Sequence, residues 1–225
     1  MDISPLWLSL KVAFLATILT FVLGILAARI TTKLKRGKGI IDGLFTLPLV
    51  LPPTMIGFFL LVIFGKNGIV GSAMAKINIS IVFTWIGAIV ASTAVAFPLM
   101  YRTARGAFEQ MNENLLNAGR TLGMSEYTVF VKIVLPNSIP SIMAGAILAF
   151  ARALGEFGAT IMLAGNIPGK TQTISVAIYT AVQAGNWDLA YQWMGIIFGI
   201  SFVTIILMNR WTKYAERFRN GAAKT

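Results

Sequence analysis

The chain has 225 residues, 56% of them apolar and only 12% charged, and it contains no Cys and no His. Soluble domains carry about 25% charged residues, and a mean hydropathy of +0.76 points the same way, so a soluble class is excluded in favour of a polytopic membrane protein. The missing Cys and His exclude disulfide scaffolds, Cys/His zinc sites, thiol nucleophiles and His general bases, while the net charge of +11 falls between apolar runs rather than on the polar face that nucleic acid requires.

A helix that crosses a bilayer takes about 20 mostly apolar residues. Five windows are that long: residues 5–30, 41–64, 79–101, 139–165 and 190–211. The first follows Asp2 and has no basic residue before Lys11, the reverse of a signal peptide, so it reads as a retained helix. Lys11 itself is expected to snorkel toward the interface. The second window is interrupted by Pro48, Pro52 and Pro53, beside Thr54. Prolines free backbone carbonyls and predict a kink or an unwound stretch, tolerated where the backbone is buried in protein or lines a cavity. A place on a transport path and a simple packing kink both remain open there. Gly57, Gly87, Gly145, Gly155 and Gly158 are read as points of close helix approach.

Lys and Arg collect in cytoplasmic loops. Arg29, Lys33, Lys35, Arg36 and Lys38, then Arg102, Arg105, Arg120 and Lys132, then Arg210, Lys213, Arg217, Arg219 and Lys224 fall on one side, and only Lys66, Lys76 and Lys170 on the other. Fourteen against three places the N-terminus outside and the C-terminus inside. The basic loops also suit anionic lipid headgroups.

Residues 102–138 form the one long loop on the basic side, and they read as two amphipathic helices. Phe108, Met111, Leu115, Leu116, Ala118 and Leu122 recur at helical spacing, with Gly123 as a helix stop able to take positive φ. Ser125 is the next N-cap, with Glu126 in the first turn. Tyr127, Phe130, Val131, Val134 and Leu135 make a second apolar face, which Pro136 is expected to close. Such a stripe must bury itself against something.

In the fourth window Arg152 and Glu156 stand four apart, so their side chains meet on one face. Arg152 is expected nearer the cytoplasmic end of that helix. Ionisable groups at membrane depth face protein or a water-filled path. A structural ion pair is one reading, favoured because a trapped dianion would hinder transport and a carboxylate on the path would repel it. A role in drawing an oxyanion, tempered by Glu156, is the other. Residues 166–189 form an outer loop rich in Gly, Asn, Thr and Gln, and its apolar stretch 174–184 is too short to span. It reads either as a small outer helix or as a plain loop.

Two stretches carry a resemblance. Asn117-Ala118-Gly119-Arg120-Thr121-Leu122-Gly123, nine further residues, then Ile133-Val134-Leu135-Pro136, is similar to the EAA loop of ABC importer permeases. Asn117 stands where that family has Glu, and Gly119 where it has its second Ala. Phe150-Ala151-Arg152-Ala153-Leu154-Gly155-Glu156-Phe157-Gly158-Ala159-Thr160, with Asn166-Ile167-Pro168-Gly169-Lys170-Thr171 beyond it, resembles the molybdate importer permeases, and less closely the sulfate permeases. The resemblance implies an all-α chain that is one permease domain, residues 1–225, with five transmembrane helices. It implies a homodimer with helices 2 to 5 around a central path and helix 1 outermost, in a bacterial inner membrane. It further implies a cytoplasmic ABC ATPase dimer seated on a helix over 117–123, an external oxyanion-binding protein docking on the outer loop, and no cofactor or metal. The small Ala118 and Gly119 would then allow close approach to the ATPase, and neutral Asn117 would lack a salt bridge to it.

Other functions fit less well. Catalysis in the membrane wants clustered acids, bases or metal ligands, and Glu156 is the one carboxylate well inside a span. An ion-driven secondary transporter would show inverted repeats and midplane carboxylates. No Gly-rich phosphate loop occurs, so hydrolysis of ATP belongs to another polypeptide. The short tail after residue 211 is expected to leave no room for a regulatory domain.

Overall fold

A computed structural model describes residues 2–34 and 36–222, with side chains described as far as residue 211. Met1, Lys35, Lys224 and Thr225, and the side chains of Lys213, Arg217 and Arg219, lie outside the described residues. Helix α1 (Ser4–Lys33) begins on a proline, whose missing N–H is no loss in a first turn. Its two sides differ. Ser9, Ala13, Ala16, Thr20, Gly24, Ala27 and Thr31 form a buried stripe of small residues, whereas Trp7, Phe14, Ile18, Val22, Leu26 and Ile30 are exposed. The small stripe packs on α5 (Trp85–Glu109), where Gly24 abuts Met100 and the backbone of Tyr101. In lipid, helices associate through close packing of this kind rather than through a hydrophobic drive. Lys11 does not simply reach outward: its Nζ lies 3.6 Å from the centroid of the Trp85 ring, a cation–π contact.

The second window is broken rather than kinked. Helix α2 (Lys38–Thr46) runs into a tight turn, Leu47–Leu49, and the chain restarts as α3 (Pro53–Phe64), bent by 108°. Pro52, held extended by the proline after it, takes φ −55° and ψ 136°. At 1.5 Å per residue α3 is about 18 Å long, short of a hydrocarbon core of about 30 Å. Four described helices are long and apolar enough to span, and five if this bent pair counts as one.

After α4 (Ile69–Ala75) the third window starts late and ends late. Residues 79–84 are not helical; Thr84 caps α5, its hydroxyl accepting from the Gly87 amide at 3.2 Å. Helix α5 then continues to Glu109, so Arg102, Arg105 and Phe108 belong to it and not to a separate loop helix. The loop proper holds α6 (Glu113–Thr121) and α7 (Glu126–Val129). Pro136 does not close the second amphipathic helix. One widened turn, Phe130–Val134, leads straight into α8 (Leu135–Leu154). There the Leu135 amide bonds to the Phe130 carbonyl, five residues back. That widening eases the clash a proline ring makes with the carbonyl four residues behind it, and the Asn137 side chain donates to the Ile133 carbonyl at 2.7 Å.

The fourth window is also broken. Helix α8 stops at Leu154, and a six-residue α9 (Gly158–Leu163) follows residues 155–157. Beyond these come α10 (Ile174–Gln183), where the sequence alone leaves a small helix and a plain loop both open, and α11 (Trp187–Ala222). Helix α10 is tied to α1 by the Ile174 amide, which donates to the Ser9 hydroxyl at 2.8 Å. The main core lies between α1, α5 and α8, around Met100, Tyr101 and Ile142. A smaller one joins α3, α5 and α9 through Ile56, Val95 and Leu163.

Candidate functional site

The loop helices are built by local chemistry. The Asn112 side chain accepts from the Asn114 amide at 2.9 Å and starts α6. The helix ends in a paired closure, with the Met124 amide bonded to the Gly119 carbonyl and the Gly123 amide to that of Arg120, which requires a left-handed residue between them. Gly123 supplies it at φ 77°. Ser125 then caps α7, its hydroxyl accepting from the Thr128 amide at 3.2 Å. Arg120 clasps the two helices. Its Nε donates to Glu126 Oε1 at 2.7 Å and its Nη1 to Asn117 Oδ1 at 2.8 Å. The bond to Glu126 raises the pKa of the Arg120 guanidinium above its ordinary value.

The apolar stripe of the loop divides. Phe108 is buried, and Met111, Leu116, Phe130 and Leu135 pack against the core. Gly119 faces inward too, because a Cβ there would come within 2.8 Å of Ile133 Cδ1. Its smallness therefore serves this chain's own turn, and only Ala118 of the small pair is exposed. Leu115, Leu122, Tyr127 and Val131 remain exposed, Leu122 by 77%. They leave an apolar patch on α6 and α7, next to the exposed Asn117 and Pro136. Arg29 of α1 lies over the start of the second loop helix, its guanidinium carbon 4.2 Å from the Phe130 ring centroid and 5.3 Å from that of Tyr127.

The residues singled out within the membrane also come together. Arg152 stands in the last turn of α8, and its Nη1 lies 2.6 Å from Glu156 Oε2 in the break. Helix from Glu126 to Arg152 runs about 39 Å at 1.5 Å per residue, so Arg152 sits at the end of its helix remote from the loop, whereas the sequence predicts it nearer the loop end. The other Glu156 oxygen accepts from the Ala159 amide at 2.8 Å and starts α9. Two residues on, a Cβ added to Gly158 would meet Pro53 Cβ and the Thr54 amide, each at 3.0 Å. Gly57 lies against the Ala159 backbone in the same way. The restart of the second span at Pro53, after the break at 50–52, and the restart of the fourth at Gly158, after the break at 155–157, are thus packed on one another. Among the other glycines, Gly145 packs on Thr103, while Gly155 is exposed and touches no neighbouring helix.

One cluster was not anticipated from the sequence. Arg105 forms an ion pair with Asp42 and donates from Nε to Glu109 at 2.8 Å. Lys38 Nζ is also 2.8 Å from Glu109, and the Tyr101 hydroxyl donates to Asp42 at 3.1 Å. Phe45 and Phe97 enclose the Tyr101 ring. Together these contacts pin α2 to α5 at the loop end. The one available signal was the four-residue spacing of Arg105 and Glu109; Asp42 lies 63 positions from its partner.

Residues 20–218 match the family described as binding-protein-dependent transport system inner membrane component. The chain is 40% identical to the molybdenum transport system permease protein ModB of Escherichia coli strain K12 over 95% of its own length and 94% of the relative's. To the ModB protein of Haemophilus influenzae strain Rd it is 44% identical over 81% of each chain. To the sulfate transport system permease protein CysT of Escherichia coli strain K12 it is 35% identical, over 88% of this chain and 72% of the other. Among solved structures, a bacterial ABC transporter that imports the acidic polysaccharide alginate superposes with a TM-score of 0.74 at 18% identity, covering 94% of this chain and 79% of that one. That likeness concerns the fold alone.

Proposed function

Since the chain belongs to the family of binding-protein-dependent transport system inner membrane components, we propose that it is the translocation subunit for a tetrahedral oxyanion, molybdate before sulfate. The identity of 40% to a molybdenum permease across nearly the whole of both chains, against 35% to a sulfate permease, carries the order of substrates. Work comes from a cytoplasmic ATPase dimer that this subunit engages but does not resemble, and the subunit itself is not catalytic. An external binding protein delivers the anion to the end that holds α10.

The engaging surface is α6 with the start of α7. Ala118, Leu115 and Leu122 are open to a partner, while Gly119, Ile133 and Leu135 fix the helix to its own chain and Arg120 sets the angle between α6 and α7. Asn117 is spent on Arg120, so the contact is apolar rather than a salt bridge. This end is cytoplasmic on the Lys and Arg distribution, with the N-terminus outside, lipid around the bundle, and a second copy of the chain completing the path. The test is uptake of labelled molybdate and of labelled sulfate, each with the other as competitor, in a strain lacking this protein and in the same strain with it restored. Restored uptake of molybdate that resists excess sulfate supports the reading. Restoration of sulfate uptake alone would make it a sulfate permease, and restoration of neither would remove the oxyanion assignment.

A further inference from the structure

At the packed breaks the two members of the ion pair are used very unequally. Glu156 is sealed in, its side chain 1% exposed. One oxygen starts α9 through the Ala159 amide and the other meets Arg152. Arg152 has 32% of its side chain open, and only its Nη1 has a recorded partner among the described residues. A guanidinium offers five N–H donors and does not lose its charge. Left against acyl chains, the unused donors would be costly, so they face water or a polar ligand. No other charged residue lies on α3, α8, α9 or α10, so Arg152 is the one cation that these four helices bring to the place where the two broken spans meet.

We propose that Arg152 is the contact a tetrahedral oxyanion makes as it passes this junction, and that Glu156 is the positioning residue behind it. This deepens, and rests on, the reading of the chain as an oxyanion permease. The buried carboxylate answers the two objections to an anion site here. It is covered by the first turn of α9, so a passing dianion meets N–H donors and not a facing negative charge. It also neutralises the pair as a whole, so the anion is held weakly enough to leave. The planar fork of a guanidinium matches two oxygens of an oxyanion, which the single ammonium of lysine does not.

The test uses the purified complex of permease and ATPase subunits in proteoliposomes, with Glu156→Gln, Arg152→Lys and Arg152→Gln. The glutamine oxygen at 156 still accepts from the Ala159 amide, so that variant removes charge while keeping the start of α9. Assembly is read by thermal melting, retention by radiolabelled molybdate bound in the absence of binding protein, and turnover by uptake. Glu156→Gln, whose amide nitrogen faces the Arg152 donors and frees that side chain, should still assemble, retain about tenfold more molybdate and turn over more slowly. Arg152→Lys should assemble yet lose about tenfold in uptake, and Arg152→Gln should lose more. Parent-like retention and uptake in all three variants would overturn the proposal. So would a joint loss of melting temperature and assembly in Glu156→Gln and Arg152→Lys, which is the signature of a lock and not of a contact. A parent complex that carries neither molybdate nor sulfate would remove the oxyanion reading and this proposal together, whereas a transporting parent matched by its variants removes the proposal alone.

Discussion

Gly123 is the residue whose replacement separates backbone geometry from bulk. Nothing lies within 4 Å of a Cβ added there, so a larger side chain meets open space, but the left-handed φ of 77° costs a β-branched residue about 1–3 kcal/mol. Gly123→Val is therefore expected to insert and to assemble at reduced affinity, with uptake falling further than ATPase rate; Gly123→Asn, which tolerates this conformation, should stay near the parent. Uptake per ATP hydrolysed, measured for both, checks it, and parent-like uptake in Gly123→Val would deny the turn a part in coupling. Asn117→Asp should be mild, because an aspartate oxygen accepts the same bond from Arg120. Ser125 and Gly123 were legible in the sequence because caps and stops act over three or four residues. The inward turn of Gly119 was not, since it depends on Ile133 fourteen positions away.

Among elements, the two breaks and the α2 clamp govern how the spans are held. A Cβ on Gly57 would come within 2.7 Å of the Ala159 Cα and 2.9 Å of its carbonyl oxygen, and a helix backbone cannot step aside as a side-chain tip can. Gly57→Ala should force α3 from α9 and lower stability by about 1–3 kcal/mol, visible as an earlier melt of the detergent-solubilised complex. Asp42→Asn should loosen α2 from α5 while leaving the α6 surface intact. ATP hydrolysis that is less stimulated by loaded binding protein, with melting only slightly lowered, is the expected result, and unaltered stimulation would confine the clamp to a structural role. Hydropathy located the bent second span as a window because sums over twenty residues register composition and not direction. The three prolines signalled its break. Nothing comparable marked the second break, where the sequence Gly155-Glu156-Phe157-Gly158 fits both a small-residue packing site and a helix end.

For the chain as a whole, α11 presents Tyr191, Phe198, Phe202 and Leu207 outward, and the proposed second copy of the chain would cover part of such a surface that lipid does not. A homodimer should therefore persist after mild solubilisation, and cross-linking through α11 or α1 that yields only monomers would argue against it. Orientation is testable without background labelling, because the chain has no native Cys: a cysteine placed at Gly123 should resist, and one at Ser4 accept, a reagent that does not cross the membrane. The unbroken rod from Glu126 to Leu154 has a mechanical meaning. Over its length of about 39 Å to Arg152, a tilt of about 10° imposed at α7 sweeps the far end through about 7 Å, roughly the width of a small hydrated anion. The widened turn at Phe130–Val134 lies between α7 and the rest of the rod, so the tilt reaches the far end only while that hydrogen-bonded turn stays rigid. A pair of spin labels at Thr128 and Leu148 would then keep its separation through the ATP cycle, while a pair spanning two copies at Leu148 would not.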